Sequence, residues 1–214
     1  MHTNLKGLVV PVTDFQQNCT ILYDEETKMC VIVDPGGDVP LIEEAIASHS
    51  LSPQSIWLTH GHIDHAGGAM DLKDKIGVDI LGPHKDDAPL LGGLQAQASM
   101  FNLATSVRNV VPDRWLDEGN QVFVGDHLFR VLHCPGHAPG HVIFVNDAMK
   151  FAHVGDVLFC GSIGRTDLPG GDHATLLQSI NEKVLPLGDE YRFICGHGPG
   201  GSIGEERRTN PFLT

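Results

Sequence analysis

The chain has 214 residues, 41% hydrophobic and 19% charged, the profile of a globular protein with a substantial core, expected as one domain over 1–214. A formal net charge of −13 weighs against a nucleic-acid partner, since phosphate binding needs a basic face. No apolar run is long enough for a membrane, the start Met1-His2-Thr3-Asn4-Leu5-Lys6 lacks a signal core, and five cysteines with no C-x-x-C pair fit reduced thiols, so a cytoplasmic protein is expected.

From the N-terminus, alternation predicts strands at 5–12, 18–23 and 29–34, with Asp24-Glu25-Glu26-Thr27 as a turn. Asp34-Pro35-Gly36-Gly37 then bends the chain, and Asp34 either caps backbone amides there or stands behind a metal site. Asp38 has the character of an N-cap, with Pro40 in the first turn of an amphipathic helix. Leu41, Ile42, Ala45, Ile46 and His49 share one face of it. A buried strand at 55–59 follows, then a helix at about 67–76 and a short strand at 78–81. Residues 83–118 read as an insertion of short helices over the site. In it, His84 is expected in solvent, and Leu94, Met100 and Phe101 are pocket walls or core residues. The second half opens with a hairpin, 121–124 and 128–132, around Gly125-Asp126-His127. Strands at 142–145 and 150–154, a helix capped by Asp172 and a last strand at 191–195 complete it. Two β-plus-α halves predict an α/β fold, a four-layer αβ/βα sandwich.

The strand at 55–59 runs into Thr59-His60-Gly61-His62-Ile63-Asp64-His65, a turn with four metal-capable side chains. Imidazole with carboxylate suits zinc, iron or manganese better than calcium or magnesium. The other candidates also sit where a strand ends in a Gly- or Pro-rich turn: His137, Asp156 after Gly155, and His197 after Gly196. Such positions gather along one edge of the sheets. Seven ligands exceed the needs of one tetrahedral ion and suit two that share a carboxylate.

These motifs resemble the metallo-β-lactamase superfamily: His60-x-His62-x-Asp64-His65, His137, Gly155-Asp156 and Gly196-His197-Gly198-Pro199. Pro135-Gly136-His137-x-Pro139-Gly140-His141 and Gly164-Arg165-Thr166-Asp167 are similar to the glyoxalase II (hydroxyacylglutathione hydrolase) group. Glu206-Arg207-x-x-Asn210-Pro211-Phe212-Leu213 resembles its short bacterial branch. The resemblance implies His60, His62 and His137 on one metal, Asp64, His65 and His197 on a second, and Asp156 bridging, with His141 behind the site. It implies two divalent ions, zinc first and iron or manganese next. The implied enzyme is a metallo-hydrolase cleaving a thioester, S-lactoylglutathione or a similar hydroxyacyl-thioester. A metal-bridging hydroxide, oriented by catalytic Asp64, would attack. Two ions roughly 3.5–4 Å apart bring the pKa of water toward ~7, and a thiolate, its thiol pKa ~8.5, leaves without a dedicated acid.

Full-length glyoxalase II enzymes carry a C-terminal helical domain that contacts glutathione. This chain ends at Thr214, so a different anchor is expected. Arg165 and Arg207 are the substrate-binding candidates, beside Arg208, with structural salt bridges as the plain alternative for each. The alternative within the fold is a persulfide dioxygenase, an iron oxidoreductase acting on glutathione persulfide. A small-molecule substrate, no membrane partner, and a monomer or small homo-oligomer complete the expectation.

Overall fold

Apolar runs split by turns make two sheets. The first contains, in spatial and chain order, β1 (Leu5–Val12), β2 (Gln17–Asp24), β3 (Met29–Val33), β4 (Ser52–Trp57) and β5 (Asp79–Leu81). The first three pair antiparallel through tight turns. The last three pair parallel because helices intervene: α1 (Val39–Ser48), then α2 (Ile63–Ala66) and α3 (Ala69–Ile76). The insertion forms α4 (Ala88–Leu91) and α5 (Leu94–Met100). The second half supplies β6 (Gln121–Val124), β7 (His127–His133), β8 (Val142–Asn146) and β9 (Phe151–His153). A small hairpin, β10 (Leu158–Phe159) and β11 (Ser162–Ile163), leads to α6 (His173–Ser179), β12 (Arg192–Ile194), β13 (Gly201–Ser202) and α7 (Ile203–Thr209). The second sheet runs β13-β12-β9-β8-β7-β6. This computed structural model describes residues 4–103 and 107–213. The first three residues, 104–106 of the expected insertion and Thr214 lie outside the described residues.

Period-two alternation sorts the strand residues into layers. Leu22, Val33 and Trp57 face Phe129, Val131 and Phe144 between the sheets, all buried. The Trp57 ring meets Phe129 edge-on at 5.4 Å and Phe144 tilted at 4.8 Å between centroids. Their neighbours Ile21, Ile32 and Ile56 turn the other way, onto Ile42, Ile46, Leu72 and Leu91. On the far side Ile143, Val145 and Ala152 pack with Leu176, Ile180 and Ile203. The result is the expected four-layer αβ/βα sandwich.

Several local expectations are corrected. Asp38 does not cap α1 with its side chain; its backbone is left-handed (φ 45°), and Oδ2 accepts the Thr13 amide at 2.6 Å. It ties the end of β1 to the start of α1. Leu41 stays 48% exposed, and Val39 joins Ile42 and Ile46 as the buried stripe. β4 ends at Trp57, two residues early, which frees Thr59 for the turn. Helical turns begin at Ile63 instead of Gly67. α7 was unforeseen, although Ser202-x-x-Glu205 is a helix-start pattern: the Ser202 hydroxyl accepts the Glu205 amide at 3.3 Å.

Candidate metal centre

Turns at the ends of β4, β7, β9 and β12 meet at one edge of the sandwich. After β4, His60 and His62 lead into α2, whose first turn carries Asp64 and, next to it, His65. The loop between β7 and β8 presents His137. Gly155, at φ +49°, turns the chain after β9 in a conformation that side-chain-bearing residues rarely adopt, and Asp156 follows. Gly196 precedes His197; a Cβ there would lie 2.0 Å from Asp156 Oδ1, so only glycine lets the backbone pass.

The seven side chains fall into two groups around Asp156. His137 Nε2 lies 2.9 Å from His62 Nδ1 and 3.2 Å from His60 Nε2. Asp64 Oδ2 lies 3.2 Å from His197 Nε2 and 3.8 Å from His65 Nε2. Asp156 stands between them, with Oδ1 3.3 Å from His65 Nε2 and Oδ2 3.6 Å from both His137 Nε2 and His197 Nε2. In each triad, His60/His62/His137 and Asp64/His65/His197, one donor atom per residue lies within 4.8 Å of the others.

Hydrogen bonds behind the rings assign the tautomers. Asp34 Oδ1 accepts the Thr59 amide at 2.7 Å, and Oδ2 accepts the Thr59 hydroxyl at 2.6 Å and His65 Nδ1 at 2.8 Å. The Thr59 hydroxyl, its proton given to Asp34, accepts from His60 Nδ1 at 2.9 Å. His137 Nδ1 donates to the Arg165 carbonyl at 2.8 Å. His60 and His137 therefore turn bare Nε2 lone pairs inward, and His65, its Nδ1 held by Asp34, presents Nε2 to the centre. Asp34 thus stands behind the centre and does more than shape a turn. His141 also stands behind it: Nε2 accepts the Asp156 amide at 3.0 Å, and the ring stacks on His60 at 4.7 Å.

Burial, helped by neighbouring imidazoles, pulls His60 well below the ordinary imidazole pKa and His62 down to about 3, so both are neutral. At His65 and His197 burial also opposes charge, but the carboxylates of Asp156 and Asp64 outweigh it and raise both. Burial opposes ionisation of Asp156 and Asp64 too, yet the His65 charge beside them holds both below the usual carboxylate range. Among the described residues, His65 Nε2 and Asp156 Oδ1, both facing the centre, are buried with no hydrogen-bond partner. Facing lone pairs repel, and orphaned buried acceptors are costly. A cation between them resolves both, and imidazole with carboxylate is a transition-metal donor set. The residues present fit divalent cations.

Sequence reading overlooked two supports. Asp87, fully buried, accepts the Gly61 amide through Oδ2 at 2.8 Å and the Gly140 amide through Oδ1 at 2.5 Å. It clasps the loop of His60 and His62 to the loop of His137, and burial pushes its pKa up to about 6. Asn18 Nδ2 donates to the carbonyls of Cys195 and Gly198, at 3.0 and 2.8 Å, and so holds the His197 turn. Asp86-Asp87 has no local signal that separates the buried residue from its exposed neighbour.

Of the expected substrate contacts, Arg165 lies on the wall of a cavity over the centre, paired with Asp167 by two bonds of 2.7 Å. Arg207 is not among the lining residues; Nε donates to Asp189 at 2.8 Å and Nη2 to the Leu185 carbonyl at 2.6 Å. Arg208 pairs with Glu205. Met100 and Phe101 line the cavity, while Leu94 is core. His84, expected in solvent, stacks on His133 with centroids 4.2 Å apart. Cys134 and Cys195 are buried core residues.

Residues 12–197 match the family model of the metallo-beta-lactamase superfamily. The chain is 45% identical over 206 residues to hydroxyacylglutathione hydrolase GloC of Haemophilus influenzae, covering 96% of each. It resembles the crystal structure of BLEG-1 B3 metallo-beta-lactamase at 36% identity and a TM-score of 0.90, covering 98% of this chain and 100% of that one. Its similarity to TTHA1623 in a di-iron-bound form is 36% identity and a TM-score of 0.86, over 96% and 100% of the two chains.

Proposed function

The chain belongs to the metallo-β-lactamase superfamily, and from that premise we propose that it is a cytoplasmic glyoxalase II-type hydrolase of a glutathione thioester, S-lactoylglutathione or a similar hydroxyacyl-thioester. The carrying observation is the pair of triads with Asp156 between them. The likeness to a hydroxyacylglutathione hydrolase over nearly the whole length supports the substrate class. His60, His62 and His137 would hold one ion, Asp64, His65 and His197 a second, and Asp156 both. Zinc is the first candidate; TTHA1623 in its di-iron-bound form makes iron the next.

When bound, two such cations lower the pKa of water and polarise a carbonyl. The chain's own residues do the rest. Asp64, lining the cavity and 18% exposed at its side chain, accepts a hydrogen bond from the attacking water and aims it at the acyl carbon. The imidazoles of His65 and His197 keep Asp64 ionised, hence an acceptor, at neutral pH. Asp34 and Thr59 lock the rings of His65 and His60, so their orientation is set before substrate arrives. Water adds its oxygen to the acyl carbon, the C–S bond breaks with its electron pair going to sulfur, and the thiolate, a weaker base than hydroxide, leaves; one water proton ends on the thiol and the other passes to solvent, leaving a carboxylate.

The test is lactoylglutathione hydrolysis by pure protein of measured metal content, with a β-lactam as control substrate. Turnover that stops on chelation and returns with zinc is expected. A sample holding two equivalents of metal without thioester turnover overturns the reading. Oxygen uptake on glutathione persulfide by iron-loaded protein would then establish the dioxygenase in its place.

A further inference from the structure

The cavity over the centre has a volume of about 570 Å³, and His62, Asp64, His137, Asp156 and His197 form its metal-facing part. The rest of the wall is mainly apolar, with Phe15, Leu90, Phe101, Phe159, Ile163 and Leu168 prominent. Phe15 meets Phe101 edge-on at 5.7 Å, a packed aromatic corner. Three polar side chains interrupt it: Gln97, Ser162 and Arg165. Each is already engaged. Gln97 accepts the Ile63 amide at 2.9 Å and donates to the Gly61 and Leu90 carbonyls at 3.1 and 3.0 Å. The Arg165 charge is matched by Asp167, and the Ser162 hydroxyl donates to the Ile163 carbonyl at 3.4 Å. A hydroxyl or carboxylate placed against this wall loses water and finds no free charge in exchange. A methylene placed there gains.

A second cavity, about 640 Å³, meets the first at Phe15, Ile63 and Asp64. Its wall is mixed, with Val39, Leu41 and Leu103 beside Thr13, Gln16 and Asp38, and its ionisable lining residues, Asp14, Asp38, Asp64 and Asp71, are all acidic. A thioester whose carbonyl sits beside Asp64 therefore meets two unlike environments. Water-soluble thiol carriers are polar along their length, whereas an acyl group can be wholly apolar. The apolar acyl chain fits the first cavity, and the four carboxylates of the second disfavour an anionic group there.

We propose that the enzyme selects thioesters with an unbranched apolar acyl chain, longer than lactoyl and lying along the Phe15–Phe101–Leu168 wall. This rests on the thioester-hydrolase reading and narrows its substrate class. The wall gives the lactoyl hydroxyl little in exchange for its water, since only the unused N–H groups of Arg165 and the lone pairs of Ser162 are there to meet it.

The experiment uses metal-loaded enzyme and one carrier, glutathione, esterified with lactoyl, acetyl, butanoyl, hexanoyl or octanoyl groups. kcat/KM should climb about threefold to fourfold per added methylene up to hexanoyl, and hexanoyl should exceed lactoyl by at least about tenfold on the same principle. The thioethers S-hexylglutathione and S-methylglutathione supply a readout without chemistry, and the hexyl compound should compete at least about tenfold better. Leu168→Gln, in a loop between β11 and α6, should flatten the chain-length slope with the circular dichroism unchanged. Lactoyl turnover equal to or above hexanoyl, or a slope unaltered in Leu168→Gln, overturns the selectivity and leaves the hydrolase standing. Absence of turnover on every thioester overturns the hydrolase reading, and this inference with it.

Discussion

Asp156 turns one oxygen toward His65 and the other toward His137 and His197, so its removal takes a donor from both triads. Asp156→Ala should lose tightly bound metal and hydrolysis together while keeping its circular dichroism, because the sandwich core lies elsewhere. Two tightly bound ions in that variant would refute a bridging role. Asp87 acts one layer further out, through the Gly61 and Gly140 amides. Asp87→Ala strands two buried N–H groups and unties two ligand loops, and a loss of about tenfold to a hundredfold in metal affinity is expected. Asp87→Asn, which can still accept from one amide, should lose less. Competition with a chromophoric chelator measures both. The cluster from His60 to His65 was legible because its members are neighbours in the chain. Asp87 was not, because its partners lie 26 and 53 residues away and leave no periodic trace.

Among the elements, β9 and β2 come from opposite sheets and are joined by His153 Nε2 and the Thr20 hydroxyl, 3.2 Å apart. Burial pulls the His153 pKa down to about 4, against roughly 6.5 for an unfolded histidine. Between those values the unfolded chain binds the extra proton. The contribution of this residue is therefore full above about pH 6.5 and falls away toward pH 4, by on the order of 3 kcal/mol. In His153→Gln, urea midpoints measured from pH 7 to pH 4.5 should decline less steeply than in the parent; parallel slopes would remove this group from the acid limb. α7 depends on its cap. Ser202→Ala should cost about 1 kcal/mol in urea unfolding, since the Glu205 amide loses its acceptor. That helix was readable from Ser202-x-x-Glu205, whereas the early end of β4 was not. Residues 58 and 59 are as apolar and β-prone as the strand before them, and it is the Asp34 carboxylate that captures the Thr59 amide.

For the whole molecule, the centre is a seam between halves: His60, His62, Asp64 and His65 come from the first, and His137, Asp156 and His197 from the second. Cations bound there hold only the folded chain, which at a hundredfold excess over Kd is worth about 2.7 kcal/mol per site. Chelation should lower the melting temperature reversibly, and zinc should restore it; an unchanged melting temperature in a sample shown to have lost metal would place the ions away from the seam. By itself the sequence determined the sandwich and the His60–His65 turn, because periodicity, turn residues and donor clusters are local properties. The tertiary structure alone decided which donors face one another, that Arg207 turns to Asp189 and Leu185, that Arg165 reaches the cavity wall, and that Asp34, Asp87 and Asn18 hold the ligand loops. Those facts depend on which group folding places opposite another: Asn18 meets the Cys195 carbonyl across 177 residues, and no pattern within either segment specifies that meeting.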